Sequence, residues 1–309
     1  MTSIGWIGTG RMGHALVSRL LQAGHEVSVY NRTKEKALDL VDLGATVVDT
    51  IAELADRDIV FTIVAGSKDV EEVVEQLLSR PDVQPGLIVD STTISPAAAE
   101  DIRARAADRG TAMLAAPVSG NPKVAASGRL TIVASGPGHA WEQARPYLEL
   151  LCSKVTYVGE GERARLVKVC HNLMLGVVAE CMAEITVLAE QGGVRRADLW
   201  AFLNDSVMGS VFTRYKTPAL VNLDFKPTFT PALLLKDFHL GFEAARATDV
   251  SMPVVAAAEQ QTQLLQGMKG NEVDFAALIE LIAEGAALQL APENVDVDDG
   301  LSPLEQVAG

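Results

Sequence analysis

The sequence is short of cysteine and of positive charge. Cys152, Cys170 and Cys181 are its only cysteines in 309 residues, and they fall in no C-x-x-C spacing. That argues against a disulfide framework and against a structural zinc site. Lys and Arg number 26 against 40 Asp and Glu, a net charge of −14. Neutralising nucleic-acid phosphates takes a basic face, so these totals argue against a nucleic-acid partner. No apolar stretch is expected to reach the ~20 residues that span a bilayer. Met1-Thr2-Ser3 lacks the basic start of a signal peptide, and glycines soon interrupt the apolar run. The expectation is a cytoplasmic protein with no membrane association. What the sequence has in quantity is apolar residues, 48% against 21% charged, which suits a globular protein with a substantial core. At roughly 150 residues per domain the length predicts two domains.

Along the first half, short apolar runs at residues 4–8, 26–31, 58–64 and 87–91 read as buried parallel strands. Helix-patterned stretches at 12–23, 34–43, 70–79 and 96–107 separate them. This alternation predicts βαβ units and a mostly parallel sheet. Residues 111–115, 131–134 and 155–158 are further strand candidates, with a helix at 139–151. The texture then changes. From Gly161 to about Gln191 there is no proline, and Leu166, Cys170, Leu173, Val177, Cys181, Ile185 and Leu188 recur every three or four residues. That is the period of one long amphipathic helix. Residues 199–203, 232–247, 253–268 and 275–290 also read as helices. The chain therefore divides into an α/β domain over 1–160 and an all-helical domain over 161–291, joined by the long helix at 161–191. Residues 292–309 read as an acidic flexible tail.

Gly8, Gly10 and Gly13 form a G-x-G-x-x-G turn between the first strand and the first helix. Gly8 permits the tight turn, Gly10 lets the backbone approach a pyrophosphate, and Gly13 lets helix and strand pack closely. The helix N-terminus supplies N–H groups and dipole to the anion. Thr9, Arg11 and Met12 complete this candidate cofactor turn. In its strand–turn–helix setting the motif predicts a dinucleotide-binding, Rossmann-type doubly wound sheet. The second strand ends Tyr30-Asn31-Arg32-Thr33, without the acid that usually holds the ribose 2′-hydroxyl of NAD. Asn31 repels no 2′-phosphate, Arg32 suits pairing with one, and Thr33 offers a hydrogen bond. The pattern favours NADP over NAD. The alternative is that Arg32 is a solvated loop charge.

Lys168 and Asn172 stand four apart on the long helix, on one face that Gly176 extends. A Lys–Asn–Gly face beside a nucleotide domain would leave room for a cofactor ring and a small substrate. Helix statistics alone would equally allow a solvent-facing lysine. The chain resembles the β-hydroxyacid dehydrogenase family, which includes 3-hydroxyisobutyrate dehydrogenase, tartronate semialdehyde reductase and the glyoxylate/succinic semialdehyde reductases. The resemblance runs to about Ala291 through five ordered motifs: Gly5 to Gly13; Asp90-Ser91-Thr92-Thr93-Ile94-Ser95-Pro96; Pro117-Val118-Ser119-Gly120; Gly159, Gly161, Lys168 and Asn172; and Leu234-Leu235-Lys236-Asp237.

The resemblance implies an enzyme that interconverts a small β-hydroxy acid and its semialdehyde with NADP(H). Lys168 would exchange the proton and Asn172 would orient it and the substrate. Ser119 and Gly120 would bind the substrate carboxylate, and no metal is required. Val64, Ala65 and Thr93 would line the cofactor site, and Lys236 would contact cofactor or substrate. Two positions depart from the family: Asn121 replaces a glycine, which makes it a candidate substrate contact, and His171 replaces an asparagine. Other pocket candidates are residues 207–212, Lys216 and Phe238. An imine reductase-like enzyme, or a non-catalytic NADP-binding sensor or scaffold, are the competing readings. Apolar positions such as Leu233, Leu234, Phe238 and Phe242 predict a homodimer or homotetramer.

Overall fold

The computed structural model describes residues 2–301. Six strands, β1 (Ile4–Ile7), β2 (Val27–Tyr30), β3 (Thr46–Val47), β4 (Ile59–Thr62), β5 (Leu87–Asp90) and β6 (Ala112–Ala115), form one sheet in the order β3-β2-β1-β4-β5-β6. All neighbours are parallel, with Ile4 opposite both Val27 and Ile59. The strands alternate between two buried faces, as the two-residue strand period requires. Ile4, Trp6, Ile59, Phe61, Leu87 and Val89 enter one core with α1 (Arg11–Gln22) and α5 (Gly138–Leu151). Ile7, Val60 and Ile88 enter the other with α2 (Ser67–Leu77) and α3 (Pro96–Asp108). Burial on both sides explains why these strands read as unbroken apolar runs. The helix expected at 34–43 is a 3₁₀ segment, Lys34–Leu43, closed by Gly44 in a left-handed conformation.

Three further strands make a separate sheet. They are β7 (Val118–Ser119), β8 (Thr131–Ala134) and β9 (Lys154–Tyr157), with β7 antiparallel and β9 parallel to β8. Between β7 and β8 lies the short α4 (Pro122–Ala126). The long helix is α6 (Arg163–Gln191), and the chain divides into two compact units inside it, residues 1–168 and 169–309.

The second unit is helical: α7 (Arg196–Asp205), α8 (Val211–Asn222), α9 (Pro231–Ala247), α10 (Pro253–Lys269) and α11 (Leu278–Gly285), with a 3₁₀ turn at Phe275–Ala277. Its core is built on Val169, Leu173, Met182, Ala183 and Val187 of α6 with Leu234 and Phe238 of α9. This corrects the expected stripe. Leu166, Met174 and Leu188 are 47%, 69% and 74% exposed, and Cys170 and Cys181 are exposed too, while Asn172, Glu180 and Thr186 are buried. The Lys–Asn–Gly face therefore turns into the packed side of α6 beyond Asn172. Gly176 leaves space for Phe238 rather than a ligand, since a Cβ there would lie 2.3 Å from Phe238 Cζ. α6 is also long and apolar enough to cross a membrane by length and composition, contrary to expectation. Half of its most apolar stretch is buried inside the protein.

Residues 292–301 are not a loose tail. The Glu293 carboxylate accepts from the backbone N–H groups of Arg196 (2.6 Å) and Ala197 (3.3 Å), capping donors that the first turn of α7 would otherwise leave unpaired. Asn222 exchanges hydrogen bonds with the backbone of Val295, and Leu301 is buried. The rest of the expected tail, 302–309, lies outside the described residues.

Candidate active site

The glycine turn is fixed from both sides. Gly8 N donates to Tyr30 O (2.9 Å), and the Trp6 indole N–H donates to Gly8 O (3.0 Å). Gly8 has φ +95°, and a Cβ on it would sit 2.1 Å from Ile63 O. A Cβ on Gly13 would sit 1.9 Å from Gly8 O. Both are demanded by packing. Gly10 differs: a Cβ there would meet nothing within 4 Å. The open side of the turn is thus where an anion can approach, at the N-terminus of α1, whose first turn carries Arg11 and Met12 and no acidic residue. These features fit a dinucleotide pyrophosphate.

At the end of β2 the Asn31 side chain is used internally. Its Oδ1 accepts from Thr9 N (2.9 Å) and its Nδ2 donates to Thr33 O (2.8 Å). Asn31 therefore ties the glycine turn to the loop that follows β2. Arg32 reaches outward, its side chain 83% exposed and 3.5 Å from Asp69. Thr33 is exposed beside it.

The ends of β4 and β5 carry the next group. Val64 N donates to Thr92 Oγ1 (3.0 Å), which ties the end of β4 to the Asp90–Pro96 segment. Val64 is half-buried, Ala65 exposed and Thr93 half-buried at this edge of the sheet. Ser95 caps α3 by accepting from Ala98 N. Ser119 pairs with Thr131, and Gly120 follows with φ +134°. Asn121 is the N-cap of α4, its Oδ1 accepting from Val124 N (3.0 Å). One end of its amide is thus committed to the helix instead of a substrate.

Lys168 is half-buried, the last residue of the first unit, and Asn172 follows one turn later, 4% exposed. Asn172 Nδ2 donates to Asp237 Oδ2 at 2.6 Å. Its Oδ1 can then only accept, so the His171 Nδ1 at 2.9 Å carries the proton. Both partners of Asn172 escaped the sequence reading as site residues. Asp237 was visible only as part of a motif, and His171 on helical geometry should point elsewhere. Lys236 lies on the rim of a groove of about 510 Å³ along α9 and α10, with Leu235, His239 and Arg246.

Two expected pocket residues belong to the core. Phe238 is fully buried against Gly176. Lys216 is buried, with Nζ 2.6 Å from Asp274 Oδ1, 3.1 Å from Thr228 Oγ1 and 4.2 Å from the centre of the Phe275 ring. Burial pushes the Lys216 ammonium below its usual pKa, against the opposing pull of Asp274.

Comparison with known proteins covers both units. Residues 3–159 match the family model described as the NAD binding domain of 6-phosphogluconate dehydrogenase. Residues 162–282 match the model for NAD-binding of NADP-dependent 3-hydroxyisobutyrate dehydrogenase. The chain is 31% identical over 293 residues to an NAD-dependent L-serine dehydrogenase of Pseudomonas aeruginosa, covering 91% of this chain and 98% of that protein. Among solved structures it resembles 3-hydroxyisobutyrate dehydrogenase of Mycobacterium tuberculosis with L-serine, at TM-score 0.80 and 29% identity over 91% of this chain and 99% of that one. It also resembles Psf3 in complex with NADP+ and 2-OPP, at TM-score 0.79 and 28% identity over 90% and 99%.

Proposed function

The chain belongs to the 3-hydroxyisobutyrate dehydrogenase family of NAD(P)-dependent β-hydroxyacid dehydrogenases, and from that premise we propose that it interconverts a small β-hydroxy acid and its semialdehyde with preference for NADP(H). The observation that carries the reading is that Lys168 stands one helical turn before Asn172 on α6, and that Asn172 donates to Asp237 at 2.6 Å. A lysine able to give a proton next to a rigidly oriented amide is what carbonyl reduction requires and what a sensor or scaffold does not.

The turn from Gly8 to Gly13, with Thr9, Arg11 and Met12, would hold the pyrophosphate. Val64, Ala65 and Thr93 would face the nicotinamide half. When bound, the coenzyme supplies or accepts the hydride. Ser119 and the Gly120 backbone bind the substrate carboxylate, Lys168 protonates the carbonyl oxygen during reduction, and Asn172 holds the substrate oxygen in line with Lys168. Lys236 adds a positive charge for cofactor or substrate. The preference for NADP rests on Asn31 in the place of an acid and on the outward Arg32. The Psf3 complex shows NADP+ bound by a related protein, while the serine dehydrogenase relative is NAD-dependent. Three unpaired cysteines support a reducing compartment, the cytoplasm.

The test is coenzyme turnover. NADPH and NADH are run against succinic semialdehyde, glyoxylate, tartronate semialdehyde and methylmalonate semialdehyde, and NADP+ and NAD+ against L-serine and 3-hydroxyisobutyrate. Turnover of at least one pair with NADP(H) is expected. Lys168→Ala should lower kcat by about a thousandfold with NADPH binding retained. Retained turnover in that variant overturns the assignment.

A further inference from the structure

Arg165 stands on the first turn of α6, three residues before Lys168, with its side chain 1% exposed. Its guanidinium is bonded in three directions. Nη2 donates to Asp90 Oδ2 (2.8 Å), Nη1 to Thr92 O (2.7 Å) and Nε to Glu162 Oε2 (2.7 Å). Each partner is anchored in turn. Asp90 is fully buried and accepts from Thr62 Oγ1 (2.6 Å) and Thr92 N (3.3 Å). Glu162 accepts from Arg103 Nε (2.6 Å), and Ala164 N donates to Ser135 Oγ (2.9 Å). Thr92 also holds Val64 through its hydroxyl.

A continuous hydrogen-bonded path thus runs from the tip of β4, through Thr92 and Asp90 at the tip of β5, to the helical turn that ends at Lys168. Seating a helix on a sheet does not call for such a path, because an apolar side chain would fill the same space without removing two charges from water. What the guanidinium adds is a fixed direction, since its planar fork sets distance and angle to several acceptors at once. We propose that Arg165 is a positioning residue that registers the Lys168 turn against the coenzyme-facing loops after β4 and β5. The inference rests on the proposed role of Lys168. Arg165 touches neither substrate nor coenzyme in this scheme, and acts through the backbone of residues 162–168 and of Thr92. Lysine is no substitute, because one ammonium cannot reach all three acceptors in their planes.

The test uses the full-length Arg165→Lys variant, which keeps a cation beside Asp90. With NADPH and the best substrate of the panel, kcat should fall about 10- to 100-fold, the loss expected for a misplaced catalytic group. The KM for NADPH should stay within about threefold, which marks a defect of orientation and not of binding. The primary isotope effect on kcat with NADPH deuterated at C4 should rise. Amide exchange should quicken in both 91–93 and 164–168. Should Arg165→Lys not fold, Glu162→Gln, which weakens one of the three anchors, should give the same pattern at smaller size. Wild-type kcat, exchange quickened in one segment alone, or a kcat loss matched by an equal rise in KM for NADPH would each overturn the proposal. A wild-type protein that turns over nothing in the panel would sink the reaction reading, while the paired exchange result still decides whether Arg165 couples the two segments.

Discussion

At the scale of single residues, the proposed preference for NADP(H) turns on charge placement at the β2 end. Asn31 spends its amide on Thr9 and Thr33, which leaves Arg32 as the exposed cation of the loop. One charge-assisted contact to a 2′-phosphate contributes about 1.5–3 kcal/mol. Arg32→Ala should therefore raise the KM for NADPH by roughly 10- to 100-fold with little change for NADH, a split read from paired steady-state kinetics. The type and place of Asn31 were legible in the sequence, because an acid is missing where NAD sites carry one. Its internal use was not legible, since an asparagine binding a ligand and one binding its own loop are the same letter. Glu180 is a second residue that patterning hides. Among the described residues both its carboxylate oxygens are buried without a hydrogen-bond partner, and burial, helped by Glu184, raises its pKa from 4.5 to about 7. Between these two values the folded protein holds a proton that the unfolded chain releases, so stability falls as pH rises through that window. Glu180→Gln should be more stable than the wild type at pH 8 by about 1–2 kcal/mol, a figure reduced for screening by nearby solvent. The advantage should vanish near pH 4.5, as followed by denaturant unfolding across pH.

At the scale of elements, the buried strands are more legible in the sequence than the helices. β1, β4 and β5 are buried on both faces and announce themselves as unbroken apolar runs. α6 misleads because its exposed side carries Leu166, Met174 and Leu188 while its buried side carries Asn172, Glu180 and Thr186. A hydrophobic period assumes that polar residues face water, and here hydrogen bonds inside the helical unit replace that water for Asn172 and Thr186, while burial favours the uncharged form of Glu180. The same inversion conceals Lys216, which ties α8 to the 3₁₀ turn at Phe275–Ala277 through Asp274. That carboxylate also accepts from Thr228 N, Phe229 N and Ala276 N. Lys216→Met leaves Asp274 buried without its cation and should cost about 3–5 kcal/mol of stability, visible as a lower midpoint in urea.

At the scale of the whole molecule, the helical unit exposes more large apolar side chains than a lone protomer needs. Leu188, Phe202, Val207 and Met208 are all more than 70% exposed. The residues from which assembly was expected are a different set: Leu234 and Phe238 are core, and only Leu233 and part of Phe242 reach the surface. Sedimentation at micromolar concentration should show a dimer or tetramer. Leu188→Glu together with Phe202→Glu should shift it to smaller species with the helical circular dichroism intact. A clean wild-type monomer would remove the homo-oligomer from the proposed function.

The division of the chain inside α6 sets a rule for building hybrids with relatives. A junction at residue 160, where the composition changes, would take Glu162 and Arg165 from one parent and Arg103 and Asp90 from the other. The buried charges of the two parents would then have to match by chance. A junction just after Lys168 inherits the whole guanidinium fork from one parent and Asn172 with Asp237 from the other. Exchange of helical units should therefore succeed at the second seam and fail at the first, although the first is where the composition of the sequence changes.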